Sequence, residues 1–424
     1  MSYLTLLRAR PQFRYLWLAQ VVSLTGDWFN TIAAVVLVNR YTDSGLAVGG
    51  LFLARALPPF IFGPLAGVVA DRFSRKAVLI ATDLSRALIV LGFLLVNSAE
   101  TVWLMYILSI AQFAVSAFFE PARAAIVPSL VAADELLNAN TLASVTWSAM
   151  LTLGAALGGV IAAAFGAQIA LVIDSLSFIL SAALVMRIAA PARIGVPVAH
   201  GNGWAEFIAG LRYVRQRPRV GLFALVKALG QVGSVDIMIA VYAERIFRQG
   251  QDGALTLGLM FTAFGVGAVV GPFIANALTD RTARALQHAI TAGFVLIPLG
   301  WWLLGVSPAL ELALIGVLLR GMGGSINWTY SEVLLQMTVP DRFLGRVFAL
   351  DFGIFTLAVS ASVWLTGFAL DQLALDPRAL TVLLAVGSLV PLVAWAAAIR
   401  RPGLQPVAAQ VAAEAGDLGD DPAL

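Results

Sequence analysis

Apolar residues run through this chain in blocks about twenty long, set apart by short polar connections rich in arginine, glycine and proline, from the first turn to about residue 399. A block of that length is what a helix needs to cross a ~30 Å hydrocarbon core at ~1.5 Å per residue. Lipid offers no hydrogen bond to a free peptide group, so such blocks are expected to be helices. The pattern predicts twelve spans, at about 13–39, 46–69, 77–97, 101–122, 138–164, 168–187, 219–244, 254–278, 287–305, 308–332, 345–370 and 379–399. The first block is too long for a cleavable leader and lacks a small-residue cleavage site, so it is expected to stay in the membrane.

Composition agrees with the pattern. Hydrophobic residues make up 60% of the 424 and charged residues 12%, about half the charged share of a soluble domain. The chain reads as an all-α polytopic membrane protein. Without cysteine there is no disulfide, thiol nucleophile or thiolate metal site. The two histidines, His200 and His288, fall near connections and supply neither a catalytic triad nor a metal cluster. No GxxxxGK[ST] loop or soluble domain is present, so nothing points to direct ATP drive. The expectation is a protein that is not an enzyme, uses no cofactor or metal, and has no nucleic-acid partner.

Charge placement adds an orientation. Most of the 27 basic residues collect in alternate connections, among them Arg8, Arg10, Arg14, Arg72, Arg75, Lys76, Arg212, Arg215, Arg217, Arg342, Arg346, Arg400 and Arg401. Arg40, Arg245, Arg248 and Arg378 fall in the others. Cytoplasmic loops gather positive charge, so both termini are placed in the cytoplasm, in an inner-membrane protein expected to be monomeric. The longest connection, 188–218, contains Trp204–Arg217, whose Trp204, Phe207, Ile208, Leu211 and Val214 share a helical face that Arg212, Arg215 and Arg217 largely avoid; it reads as an amphipathic surface helix. The stretch from Pro402 onward, rich in Ala, Gly and Pro, reads as disordered.

The chain also repeats itself. GPLAGVVADRFSRK at Gly63–Lys76 recurs as GPFIANALTDRTAR at Gly271–Arg284, which aligns Asp71 with Asp280, Arg72 with Arg281 and Arg75 with Arg284. A second pair begins near Val127 and Val339. Two related six-helix halves follow. The first copy resembles the signature loop of the major facilitator superfamily: Gly67, Asp71, Arg72, Arg75 and Lys76 match it, while Ser74 stands where glycine is usual. FEPARAAIVPSLV at Phe119–Val131 and PDRFLGR at Pro340–Arg346 are similar to the branch of that superfamily containing macrolide-efflux proteins and the enterobactin exporter. The resemblance implies two pseudo-symmetric six-helix bundles, 1–187 and 219–400, a linker at 188–218, a tail at 401–424 and transport by alternating access. GAALGG at Gly154–Gly159 resembles the antiporter motif, with Ala155 in place of the usual proline; it reads equally as ordinary small-residue packing.

The loop suggests a latch. Asp71 complements the positive end of span three, with Arg75 expected to pair with Glu120; Gly67, Arg72, Lys76, Asp280, Arg281 and Arg284 complete the two copies. The other reading is a topological determinant with ordinary loop charges.

Ionisable residues inside spans cost about 2.5–3.5 kcal/mol on insertion scales and call for a partner or a task. Asp83 and Arg86, three apart, are expected to neutralise each other. Asp174 is expected to take a hydrogen bond from a serine or the backbone, and Asp351 and Glu332 to reach water. Asp27, read as a lone carboxylate near the middle of span one, is the first proton-coupling candidate, and Asp236 in span seven the second; a polar inter-helix bond is the alternative for both. Trp28, Asn30, Gln112, Gln231, Arg320, Asn327, Trp328 and Tyr330 lie on spans that line the cavity in the resembled fold and are candidates to meet substrate, with Arg320 as a fixed positive charge.

These readings favour a proton-driven exporter of an amphipathic small molecule such as a drug or siderophore, with lipid, protons and substrate as its partners. Two alternatives stay open: an uptake symporter or carrier of a lipid or metal chelate, and a non-transporting sensor or scaffold.

Overall fold

A computed structural model describes residues 3–42, 44–132, 135–189, 211–279 and 282–401, apart from the side chains at 64, 67, 68, 70, 71, 137, 144, 341, 342, 344, 345 and 349. Among the described residues, eleven helices are long and apolar enough to cross a membrane. A short helix, Tyr3–Ala9, precedes span one at Pro11–Thr42. Spans two and three are Gly45–Arg72 and Arg75–Gly92. Span four is Trp103–Ser116 continued by Phe119–Ile126, and spans five and six are Leu136–Phe165 and Ala167–Met186. Spans eight to eleven are Ala254–Leu278, Ala283–Val306, Leu310–Thr338 and Asp341–Asp371. Span twelve is Pro377–Gly387 followed by Leu389–Ile399.

The seventh predicted span departs from the pattern. Instead of one helix over 219–244, the chain forms Pro218–Leu229, stops, and restarts as Val235–Val241 with a π turn at Tyr242–Ile246. Gly230 ends the first piece and Gly233 takes φ +78°, a conformation that side chains rarely tolerate. Ser234 caps the second piece by accepting the Ile237 N–H, as serine does at a helix start.

The chain divides into two compact units, Met1–Val198 with Ser234–Gly265 and Val363–Pro377, and Ala199–Gly233 with Val266–Ser362 and Arg378–Leu424. The break in span seven therefore falls at a unit boundary.

In the first unit, span one packs against spans five and six, and span three against span six. Ile32–Val38 is buried on every face, as expected of a helix that is apolar all round. Toward the arginine-rich ends, Leu6, Phe13, Leu79, Phe119, Ile126, Leu130 and Val185 share one apolar core. There Glu135 accepts from the Ala132 N–H at 2.9 Å and from Arg10 Nε at 2.8 Å. These bonds hold the Glu135 carboxyl below the usual carboxylate range.

At the opposite ends, the adjoining portions of spans seven, eight and eleven, Ser234–Gly265 and Val363–Pro377, are built into the same unit. Arg40 binds Asp252 through Nε at 2.7 Å. Asp371 accepts from Ser44 Oγ at 2.6 Å, Gly45 N at 3.0 Å and Leu46 N at 2.8 Å. Lipid tails are as apolar as the helices, so no hydrophobic drive holds such helices together, and close backbone approach must do it. The small-residue run of span five shows this: Gly154 lies on Trp28, and a Cβ on Gly159 would lie 2.7 Å from the Gly258 Cα of span eight. In the second unit, glycines let spans nine and ten approach in the same manner, with Gly300 on Gly316 and Gly293 on Gly323. Trp395 of span twelve is fully buried between Phe223 and Phe294.

The described part of the linker, 211–216, is helical. Tyr213 is buried there, stacked on Phe343 at 4.4 Å, while Leu211 is exposed. Residues 190–210 and the tail from 402 lie outside the described residues.

Two outcomes follow. Gly159→Val forces a branched side chain into the span eight backbone and should lower stability by about 1–3 kcal/mol, read as a lower melting temperature in detergent with Gly154→Ala as a milder comparison. The Glu135 carboxyl contributes stability above the ordinary carboxylate pKa of about 4.3, and loses it as pH falls through its lower folded value. Thermal melts should therefore show a smaller loss on acidification in Glu135→Gln than in the parent protein.

Candidate functional site

Two clusters of charge occupy the helical core, one in each unit. In the first, span one brings Asp27 and Asn30, span two Arg55, span three Asp83 and Arg86, and span six Asp174. Asp83 and Arg86 form the expected pair, 3 residues apart on one helix. Ser181 Oγ adds a bond to Asp83 at 2.6 Å, and the Arg86 guanidinium lies over the Phe178 ring at 4.2 Å and the Phe119 ring at 4.7 Å. Arg55 donates to Thr31 Oγ1 at 2.7 Å and lies over Phe113 at 4.8 Å.

Asp174 corrects its sequence reading. It is wholly buried against Gly26, yet neither oxygen accepts a hydrogen bond among the described residues. Ser177 gives its hydroxyl to the Asp174 backbone carbonyl instead, at 2.7 Å. Asn30 faces the carboxyl without reaching hydrogen-bond geometry.

Asp27 is half-buried and is not a lone charge: Asp174, Asp83, Arg55 and Arg86 all lie within its electrostatic reach. Asp236, half-buried in the first turn after the break, adds a further carboxyl within reach of Arg55. Among the described residues Asp27 and Asp174 therefore lie close to one another with Arg55 and Arg86 nearby, and Arg86 is already paired with Asp83. What the geometry offers chemically is an enclosed carboxyl without a hydrogen-bond donor beside a second, half-buried one, an arrangement that is costly to keep fully ionised in low dielectric.

The second cluster was missed in the sequence. Lys227, wholly inside span seven, donates to Asp351 Oδ2 of span eleven at 2.6 Å and to Glu332 Oε1 of span ten at 2.9 Å. Its ammonium lies over the Trp328 ring at 4.2 Å. Asp351 is buried at 1% exposure and does not reach water as expected; Glu332 remains 36% exposed. The signal was present as two pairs four residues apart, Trp328 with Glu332 and Asp351 with Phe355, each sharing a helix face.

Arg320 reaches the break in span seven. Its guanidinium is buried, donates to the Gly230 carbonyl at 2.9 Å and lies over Trp301 at 5.4 Å, while Trp301 Nε1 donates to the Val232 carbonyl at 3.0 Å. These two side chains satisfy carbonyls freed by the break in span seven.

Of the substrate candidates, Trp28, Gln231 and Trp328 are half-buried, whereas Asn30, Gln112, Asn327 and Tyr330 are buried. Trp28 stacks obliquely on Phe261, and Asn327 lies against Gly293. Gln231 Nε2 approaches the Lys227 carbonyl at 3.5 Å, and Tyr330 OH the Pro272 carbonyl at 3.4 Å.

The signature loop is placed with different partners from those predicted. Arg75 donates to the Ala125 carbonyl at 2.6 Å, and Glu120 is taken by Arg123 at 2.7 Å, three residues along its own helix, so the Arg75–Glu120 pair is not formed. Lys76 instead donates to the Met186 and Ile188 carbonyls, both at 2.7 Å. Arg72 and Arg284 are exposed. Gly67 and Asp71 lie on span two with their side chains outside the description, and Asp280 and Arg281 lie outside the described residues.

The model of the transmembrane secretion effector family matches residues 2–414. The chain belongs to this family. It is a major facilitator transporter, and its family is one of carriers, not enzymes. Among its relatives, macrolide efflux protein A of Streptococcus pyogenes is 24% identical over 377 residues, covering 86% of this chain and 91% of that one. The enterobactin exporter EntS of Salmonella typhimurium is 25% identical over 360 residues, covering 81% and 82%. The fold is shared with a bacterial homologue of the lysosomal transporter Spinster in an inward-facing, unoccupied conformation, with TM-score 0.69, 15% identity and coverage of 92% and 96%. A bacterial homologue of the iron transporter ferroportin, inward-facing, gives TM-score 0.68 at 15% identity, covering 91% and 98%.

The Arg320 strap is directly testable. Arg320→Met keeps the length of the side chain but removes the donor, leaving a buried carbonyl short of a partner at a cost of about 1–3 kcal/mol. A lower melting temperature, with Arg320→Lys recovering part of the loss, is the expected result; unchanged melting would show that the break holds itself.

Proposed function

We propose that this protein exports an amphipathic small molecule, of the drug or siderophore kind, from the cytoplasm, driven by protons through alternating access. The observation that carries the reading is the buried Asp174 carboxyl beside Asp27, neither of whose oxygens accepts a hydrogen bond among the described residues. Asp27 is the half-buried member of a group whose other span-six and span-three carboxyls are fully enclosed, so it is the acid through which protons enter and leave. Asp236 is the secondary candidate. Relatives named as macrolide and enterobactin exporters support the direction and the class of cargo. Two six-helix halves, 1–187 and 219–400, joined by 188–218, carry the cycle, as a monomer in the inner membrane with both termini cytoplasmic. The signature loop acts as the latch through Arg75 and Lys76, which tie the start of span three to carbonyls of spans four and six. At the outer ends, Arg40–Asp252 and the Asp371 clasp must open for release.

A panel of drugs and siderophores, tested for accumulation in an efflux-deficient host, identifies the cargo. With that cargo, Asp27→Asn should fold and still exchange substrate, because an amide keeps a hydrogen bond. It should lose substrate-induced proton release in detergent and nearly all accumulation driven by a pH gradient in proteoliposomes, with a smaller loss in Asp236→Asn. Wild-type release and accumulation in Asp27→Asn would remove the residue from the coupling path.

A further inference from the structure

The Lys227 cluster has the same defect as the group around Asp27, in a smaller and better defined form. One ammonium lies between two carboxyls, and the three groups come from spans seven, ten and eleven. Lys227 and Glu332 are the charged groups that bear on Asp351, and the surrounding wall is aromatic: Trp328 on span ten, with Phe348 and Phe355 on span eleven. With both acids ionised the cluster carries one uncompensated negative charge. The second oxygen of Asp351, Oδ1, is buried and accepts no hydrogen bond among the described residues. A buried acceptor left unpaired is costly, and here it sits where a single proton would remove both the missing bond and the surplus charge.

We propose that Lys227, Asp351 and Glu332 form a second proton-exchange site, which takes one proton from water through the half-exposed Glu332 and shares it with Asp351. The proton adds as an O–H on the carboxyl pair and returns to water by the same route. No other bond is made or broken. Loading it neutralises one carboxylate and weakens that partner's hold on Lys227. The ammonium is a polar tie from Pro218–Leu229 to spans ten and eleven, so proton occupancy bears on how firmly that helix is held just before the break at Gly230–Ser234. The proposal deepens the proton-driven reading and rests on it for the link to transport. The titration itself does not depend on Asp27.

Trp328 gives the readout, because an ammonium against its ring changes the indole emission when it moves. In the purified full chain, tryptophan fluorescence and proton uptake are followed together across a pH titration. The parent protein should show a pH-dependent emission component that Trp328→Phe abolishes. Asp351→Asn should lose that component and bind one proton fewer. Glu332→Gln, which leaves a neutral Lys227–Asp351 pair and alters a half-exposed position, should do the same and serves should Asp351→Asn fold poorly. Asp27→Asn should keep the component. Titration of the parent type in both Asp351→Asn and Glu332→Gln, or a parent protein without the Trp328 component, overturns this site and leaves the Asp27 reading standing. Loss of the component in these variants, beside an Asp27→Asn protein that accumulates substrate normally, supports this site and removes Asp27 instead.

Discussion

Inside a bilayer no water is at hand to bond a peptide group or to neutralise a charge, and most of what is distinctive in this chain follows from that shortage. Helices satisfy their own backbones, so the places that matter are where a helix stops within the membrane or where a side chain is charged. The break in span seven is the first kind. Stopping at Gly230 frees carbonyls, and the protein supplies an arginine and a tryptophan, Arg320 and Trp301, to bond those of residues 230 and 232. Two polar side chains are thereby bonded to the backbone. Broken helices of this kind occur in transporters where the irregular backbone is enclosed by protein.

The same shortage explains how the helices associate. Without a hydrophobic drive between helices and lipid, contact depends on close van der Waals approach and on a few polar clasps. Glycines at 159 and 258 bring two backbones together, while Arg40–Asp252 and Asp371 fasten loop ends close by. Polar clasps at the helix ends are cheaper than polar groups at mid-depth, since an opened clasp can be hydrated. Attachment of this kind is reversible, which suits a carrier that has to alternate.

The helices themselves were legible because their signal is cumulative: Ala254–Leu278 coincides with its expected bounds of 254–278, and Ala167–Met186 nearly so. Span seven misled for a definite reason. Its apolar content satisfies a span-length window, and that average overrides the local punctuation of Gly230, Gly233 and Ser234, which spells a helix end and a new cap. Pairing of charges was legible only where it is local, as in Asp83–Arg86. Arg75–Glu120 failed since each residue found a nearer partner, Ala125 and Arg123. Lys227 with Asp351 lies 124 residues apart in sequence, and no periodicity along one helix reports a meeting between three.

The two charged clusters share a logic that neither would show alone. Among the described residues each has a carboxyl oxygen buried without a partner, on Asp174 in one and on Asp351 in the other, beside a second acid, Asp27 or Glu332, that is less deeply buried. A purely structural salt bridge has no reason for this arrangement. If the aim were stability, matched charges or an apolar replacement would serve as well or better. On the proposed reading, a proton on the acid pair removes the unsatisfied oxygen's cost without enlarging a well-packed interior. Asp174 explains why the first cluster needs an opening at all: being fully enclosed against Gly26, it can change its charge only through a neighbour, and Asp27 is the neighbouring carboxyl within reach that is not itself enclosed. Burial and access are divided between two residues in each cluster, and the proposed proton site would take its energy from the enclosed acid and its exchange with water from the less buried one.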